Sequence, residues 1–455
     1  MQDYDSIIKN LFARHQSVQN AGFNQDSYKP GLDRIRGLDR RMGSPSTHLR
    51  FIHVAGTNGK GSVSSMLAAS LSGSGYSVGL FTSPHLLDFR ERIKIVSEGG
   101  FRMIPREDVL EFLDKYDSPE LSFFEITTGM ALWYFDRCQV DVAVLEVGLG
   151  GLLDSTNIVV PEVAVVTSIG LDHCALLGST RAEIAGQKAG IFKAGVPAVV
   201  GETDPETAPV FEAAAAAAHC PLFFADEFSV IPGLTGDPSL SDMASQMDLT
   251  GEWQRKNLRT VLCTLDLLGE EPDYDALAHA AHITGLRGRW ETVCDSPCTI
   301  ADIGHNPAAL KENFARLGGM MASGLYDNLL IVYGIMADKD LQGILPLMPR
   351  DAEYFFAVPD TPRALPAQDL LARFRAFHHV MAGPDPFPVM AGSDRPSETL
   401  GGAGDHFPAA QACGSVADAL RRALAAASSR TLIYVGGSAF VVADCLKFLE
   451  KSKKD

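Results

Sequence analysis

Short apolar runs alternate with helix-length amphipathic stretches along most of this chain. Phe51–Ala55, Ser77–Thr82, Val140–Leu145 and Val163–Ile169 each have strand length, with few polar interruptions. Such runs fit strands buried on both faces. Between several of them, apolar residues recur at helical spacing, as Val63, Met66, Leu67 and Leu71 do. Strands alternating with helices predict a mainly parallel sheet of βαβ units. The theme repeats at Thr299–Asp302, Leu329–Tyr333, Tyr354–Val358 and Thr431–Val435, which predicts a second α/β domain. Gly285-Leu-Arg-Gly-Arg-Trp-Glu291 reads as a hinge, giving domains 1–288 and 289–455. Ile7, Ile8, Leu11 and Phe12 form a short stripe on an N-terminal helical extension. Residues 213–218, all alanine, predict a helix surface, and the Gly- and Pro-rich residues 382–411 predict a long loop.

The chemistry lies where the strands end. After Ala55 comes Gly56-Thr-Asn-Gly-Lys-Gly-Ser62, and then a helix. Glycines at 56, 59 and 61 let backbone N–H groups turn inward on an anion, and the helix N-terminus adds its dipole. Lys60 can reach terminal phosphates and Ser62 can offer a hydroxyl to Mg²⁺. Gly61 separates Lys60 from Ser62, so the spacing differs from the usual phosphate loop. An ordinary glycine turn is the blander alternative. Further exits carry Ser83-Pro84-His85-Leu86, Glu146-Val-Gly-Leu-Gly-Gly151 and Gly170-Leu-Asp-His173. Ligands of open α/β sheets bind beyond the carboxyl ends of the strands. Lys60, Ser62, Ser83, Glu146 and His173 should therefore converge on one edge. Taken singly, each has a plain reading: Glu146 as a surface carboxylate, His173 as a cap or core histidine, with Asp172 the more ordinary oxygen ligand. Lys188 reads as a solvated helix lysine and Arg34–Arg41 as a solvated face.

Composition narrows the class. The chain has 455 residues, enough for two or three domains, and a formal charge of −17. That charge argues against nucleic acid as a main partner and requires a local basic pocket for any anionic ligand. The eight cysteines include no Cys-x-x-Cys pair, which suggests neither zinc nor a disulfide framework. No run is long enough to span a bilayer and the N-terminus does not read as a signal peptide. A cytoplasmic protein is expected.

Together these segments resemble the folylpolyglutamate synthase/dihydrofolate synthase family of the Mur ligase superfamily. The most specific are the glycine turn, Ser83–Leu86, Glu146–Gly151, Asp154-Ser-Thr-Asn157, Ser168–His173, Lys188-Ala-Gly-Ile-Phe192 and Asp302-Ile-Gly-His-Asn-Pro307. The resemblance implies an N-terminal P-loop-type ATPase domain and a C-terminal Rossmann-like α/β domain. It also implies roles. Gly56, Thr57, Asn58, Gly59, Lys60, Gly61 and Ser62 would hold ATP with Asn257, Arg289 and Asp302. Ser62, Ser83, Glu146 and His173 would serve two Mg²⁺ sites. Lys188 would be carbamylated, and Lys60, Lys188, Asp302 and His305 would take part in catalysis. Arg34, Pro84, His85 and Asp154 would contact the pterin substrate. Two positions depart from the family pattern: Leu152 stands where Arg is usual, and Gln187 where Glu often precedes the lysine.

The implied activity is ATP-dependent addition of L-glutamate to a dihydropteroate or reduced folate carboxylate through an acyl phosphate, by a monomer using no nucleic acid or membrane. Three alternatives stay open: folylpolyglutamate synthesis only, a cell-wall Mur ligase, and a non-ligase nucleotide switch or transport ATPase. Only about fifty residues precede the glycine turn, few for the extra N-terminal domain of a cell-wall Mur ligase.

Overall fold

The computed structural model of the chain describes residues 4–15, 22, 29–227, 243–381 and 408–452. It divides into two compact units, Met1–Trp290 and Glu291–Asp455. In the first, eight strands form one sheet: β1 (Phe51–Ala55), β2 (Val78–Phe81), β3 (Ile93–Ser97), β4 (Gly100–Met103), β5 (Val142–Glu146), β6 (Val163–Val166), β7 (Ala198–Val200) and β8 (Leu222–Phe224). Their order is β4-β3-β2-β5-β1-β6-β7-β8. Strands β2, β5, β1, β6, β7 and β8 run parallel, whereas β3 and β4 are an antiparallel edge.

Register sets the site. Phe81 pairs with Leu145, Val54 with Glu146, and Ala55 with Val166. The carboxyl ends of β2, β5, β1 and β6 therefore stop at nearly one level, and the polar exits of the sequence leave the sheet side by side. All five residues of β1 are buried, which explains why all but His53 are apolar.

The helix Lys60–Gly73 that follows β1 is buried almost all round, between the sheet and the helices Glu252–Leu268, Tyr274–Ala278 and Ala280–Thr284. Its sequence of Ser, Ala and Leu lets it approach neighbours closely, and a helix enclosed on all sides needs no polar face. On the other sheet face, Phe123–Arg137 starts at a capping box in which Ser122 accepts from the Glu125 amide and Glu125 accepts from that of Ser122. This helix lays Phe135 on β2, where a Cβ on Gly79 would come within 2.7 Å of the ring. A glycine in mid-strand here makes room for an aromatic.

The second unit holds β9 (Glu291–Asp295), β10 (Cys298–Asp302), β11 (Asn328–Tyr333), β12 (Glu353–Phe356), β13 (Ala410–Ala412) and β14 (Thr431–Gly436) in the order β13-β12-β11-β14-β10-β9. Only β9 is antiparallel. Strand β13 corrects one expectation: the loop through residue 411 ends earlier, because Ala410–Ala412 pair with Tyr354–Phe356. Residues 382–407 lie outside the described residues. Strands β3, β4, β7, β8, β9 and β13, at or next to the sheet edges, were not evident in the sequence. Three have only three residues, and β3 and β4 carry Lys94 and Arg102 within their runs.

Phe135 is fully buried. Phe135→Ala should lower the unfolding free energy by about 3–5 kcal/mol in a urea titration, since Gly79 leaves a space that cannot collapse.

Candidate active site

The glycine turn is fixed by contacts the sequence does not display. Gly56 has φ +150° and Gly59 φ +90°. A side chain on Gly56 would strike the Thr167 hydroxyl, and one on Gly59 would strike the Asn257 amide oxygen. The loop after β6 is laced onto the turn. Thr57 N–H donates to Ser168 O (2.7 Å), Thr167 Oγ1 donates to Asn58 O (2.6 Å), and Gly170 N–H donates to Thr57 Oγ1 (3.1 Å). These bonds account for Ser168–Gly170 better than its own turn potential does.

Two lysines meet at the turn. Lys60 Nζ donates to Gly56 O (3.0 Å) and Thr57 O (3.2 Å), while Lys188 Nζ donates to the same Gly56 O (2.8 Å). Lys188 is 3% exposed, so it is not a solvated helix lysine. Burial, and then the charge of Lys60, push its pKa down to about 7; Asp172 and Asp154 pull the other way.

Glu146, also 3% exposed, accepts from the Ser83 amide at 3.0 Å. Burial pushes its pKa up, against Lys60, the Ser83 amide, Arg289 and Arg92. Among the described residues no cation pairs with it within 4 Å. Ser62 Oγ accepts from Gln254 Nε2 (3.1 Å), and Gln254 Oε1 accepts from Asn257 Nδ2 (2.9 Å). An Arg289 guanidinium nitrogen lies 3.3 Å from where a Cβ on Gly61 would be. Lys60, Ser62, Ser83, Glu146, Asn257 and Arg289 thus surround one turn. His173 is in the left-handed region (φ +53°) at the start of the short helix Cys174–Leu177, with Nε2 3.9 Å from Asp172. Among the described residues no three His, Cys, Asp or Glu side chains form a metal cluster.

The residues expected at the substrate have mixed fates. Pro84 is exposed and His85 partly so. His85 Nδ1 accepts from Arg92 Nε at 2.8 Å, and its ring lies in a cluster with Phe12 and Phe89. Arg34 is occupied internally: Nε bonds to the buried Glu125 carboxylate and a terminal nitrogen to Lys29 O. Asp154 is buried, accepting from Leu149 N–H (2.8 Å), Thr156 N–H (3.0 Å) and Thr156 Oγ1 (2.5 Å). Its carboxylate therefore holds its own loop. Asp302 and His305 belong to the second unit, where Asp302 Oδ1 accepts from Gly304 N–H and Asn313 Nδ2, both at 2.7 Å, and His305 Nδ1 lies 3.0 Å from Ile303 O.

Sequence reading missed Gln254, Thr167 and Arg92. Arg92 is buried, its pKa pushed down to about 10 by desolvation despite Glu146 and Glu91. It closes the run Asp88-Phe-Arg-Glu-Arg92, whose charge pattern reads as surface.

A phosphate turn with buried Lys and Glu at the carboxyl edge of a parallel sheet, followed by a second α/β unit, defines an ATP-dependent ligase of Mur ligase architecture. Residues 54–228 match the Mur ligase middle domain, and 288–439 match the Mur ligase glutamate ligase domain. The chain is 34% identical over 345 residues to a dihydrofolate synthase/folylpolyglutamate synthase of Escherichia coli, covering 75% of this chain and 80% of that one. A bifunctional folylpolyglutamate synthase/dihydrofolate synthase of Yersinia pestis, solved with AMPPNP and Mn, superposes with TM-score 0.76 at 27% identity over 99% of this chain and 98% of that one. This chain belongs to the folylpolyglutamate synthase/dihydrofolate synthase family. It is also 33% identical to a Haloferax volcanii protein named "probable bifunctional folylpolyglutamate synthase/dihydropteroate synthase", covering 91% of this chain and 48% of that longer protein.

The Lys188 amine has a stability signature. Its folded pKa, about 7, lies below its ordinary 10.5, so between these values the unfolded chain binds more protons. The penalty for burying Lys188 is absent above pH 10.5, grows as pH falls and is complete below 7. In CO₂-free buffer, wild-type Tm should rise from pH 7 to 10 relative to that of Lys188→Met, and the two curves should run parallel below pH 7.

Proposed function

We infer that this chain uses ATP to activate the carboxylate of a dihydropteroate or reduced folate and joins it to the amine of L-glutamate. The observation that carries this reading is the Gly56 carbonyl shared by Lys60 and Lys188 inside a phosphate turn, with the buried Glu146 carboxylate beside it. A carboxylate is a poor acyl donor because its leaving group would be oxide. Attack of the carboxylate oxygen on the terminal phosphoryl group releases ADP and makes phosphate the new leaving group. The neutral amine of glutamate then forms the amide bond as the acyl–oxygen bond breaks.

The turn amides, Asn257 and Arg289 bind and orient the nucleotide, and Lys60 moves from the Gly56 and Thr57 carbonyls to phosphate oxygens. The donor set fits Mg²⁺, which takes one or two carboxylates and completes its shell with water and phosphate. Glu146, Ser62 and Ser83 would hold it, with His173 and a carbamylated Lys188 on a second site. When bound, the ion withdraws charge from phosphate oxygens. Asp302 and His305 take the catalytic roles that the family resemblance implies for them. Pro84 and His85 contact the pterin end, whereas Arg34 and Asp154 act through the walls they stabilise. Carbamylation suits Lys188: the neutral amine adds to CO₂, forms an N–C bond and releases a proton. Burial that favours the neutral amine promotes this step.

With MgATP, radiolabelled L-glutamate and either dihydropteroate or tetrahydrofolate, ADP release should require both co-substrates, and label should enter the pterin product. ADP release indifferent to pterin and glutamate would overturn the ligase reading. Turnover of tetrahydrofolate alone would restrict the activity to polyglutamylation. Lys60→Ala should lose about 100-fold or more in kcat while keeping its circular dichroism spectrum. Under ¹³CO₂ with MgATP, wild type should show a carbamate carbon resonance that Lys188→Ala lacks. The same resonance in both proteins would remove Lys188 as the carbamylated residue.

A further inference from the structure

His53 is an odd residue for its place. It is the middle residue of β1, fully buried between β5 and β6, where every strand neighbour is apolar. Its Nε2 lies 2.8 Å from Thr156 Oγ1, and its Nδ1 is buried without a hydrogen-bond partner. Thr156 spends its hydroxyl proton on Asp154, so its oxygen must accept from His53. That fixes His53 as the Nε2–H tautomer and leaves the Nδ1 lone pair unsatisfied. A buried unsatisfied acceptor destabilises a fold, and an apolar residue of similar size would avoid it. Stability alone therefore gives no reason for histidine here.

The other end of this hydrogen-bond chain lies at the site. Asp154 accepts from the Leu149 amide, three residues after Glu146. The same loop is fastened to the helix Arg181–Ala189 that bears Lys188. Leu152 N–H donates to Gln187 O (2.9 Å), and Asn157 Nδ2 donates to Leu152 O and Gly190 O, both at 3.0 Å. The fit is close, since a Cβ on Gly151 would come within 2.8 Å of Gln187 O. Each donor in such a chain polarises the next, so His53 strengthens the grip of Thr156 on Asp154.

We propose that His53 and Thr156 are positioning residues: through Asp154 they hold the loop 147–157 in the one placement that seats Glu146 and Lys188 together at the Gly56 turn. They touch neither substrate nor nucleotide. The catalytic arm of the proposal rests on the ligase reading above; the structural arm does not.

Three variants of the full-length chain test it: His53→Leu, Thr156→Val and His53→Gln, whose amide can replace the Nε2–H donor. His53→Leu should keep or raise Tm, because the orphaned nitrogen is gone, yet lose about tenfold or more in kcat, as outer-shell partners of active sites do. KM for ATP should stay within about twofold, because the turn is untouched. Thr156→Val should share the kcat loss, and His53→Gln should recover most of it. Wild-type kcat in His53→Leu would overturn the proposal. So would parallel losses of Tm and kcat with no recovery in His53→Gln, which would make His53 a packing residue. Amide hydrogen exchange needs no activity and separates this idea from the ligase reading. Protection of Leu149 N–H should fall in His53→Leu while that of Val147 N–H, bonded to Val54 O in the sheet, holds. Unchanged protection at Leu149 would overturn the positioning role even in an active ligase, and loss of that protection in a chain without ligase activity would uphold it while the ligase reading fell.

Discussion

One carbonyl oxygen, that of Gly56, accepts hydrogen bonds from two lysines. Two ammonium groups on one acceptor, one of them buried, repel each other. The arrangement relaxes when Lys188 gives up its proton, and its pKa is depressed accordingly, by burial first and by the charge of Lys60 second. Much of the first unit follows from the need to hold this carbonyl still. Gly56 must be glycine because its φ is +150° and Thr167 occupies the space of a side chain. The loop after β6 must carry hydroxyls, because Thr167 and Ser168 secure the turn to which that carbonyl belongs.

The same logic explains a concentration of buried charge that hydrophobic burial alone would disfavour. Lys188, Glu146, Arg92 and Lys94 all lie within the first unit at 4% exposure or less. Each is costly to desolvate, and among the described residues Lys188, Glu146 and Lys94 have no partner of opposite charge within 4 Å to offset the cost. Arg92 spends its Nε on an imidazole and lies over Phe123, while Glu146 takes a backbone amide. Charges held by dipoles rather than counter-ions remain able to act on an incoming ligand. The resulting field at the turn is set before any ligand arrives, which is the condition under which electrostatics best lowers a barrier.

What the sequence disclosed follows from how local each feature is. Strand, glycine turn and helix are neighbours along the chain, so β1 and Lys60 were legible, as were the apolar runs of β2, β5 and β6. Lys188 was legible only through family resemblance, because the small residues around it fit a solvated helix as well as a close approach. Arg34 and Asp154 show the opposite limit. The family resemblance implies substrate contacts for both, and the partners that hold them in the fold, Glu125 and Leu149, are chosen by tertiary packing. Gln254 was hidden for the same reason: it meets Ser62 across 192 residues of chain.

The stretch read as a hinge and domain boundary, residues 285–291, contains the division between the two units, after Trp290. Gly285 and Gly288 take φ of +63° and +69°, so each serves a defined left-handed turn rather than free rotation. Lys94 reaches from β3 to the carbonyls of Thr284 (2.8 Å) and Gly285 (3.2 Å), capping the helix that ends there, and packs over Phe101. A cation at a helix C-terminus satisfies carbonyls that otherwise lack donors and complements the dipole. Three residues beyond Leu286, Arg289 already lies against the glycine turn. The segment is thus anchored at both ends within the first unit, and it carries Arg289 to the glycine turn. Trp290, the last residue of the first unit, has a φ of +50°, uncommon for a bulky side chain. Gly285 and Gly288 thus shape the approach of Arg289 to the glycine turn, and the boundary between the two units falls directly after Trp290.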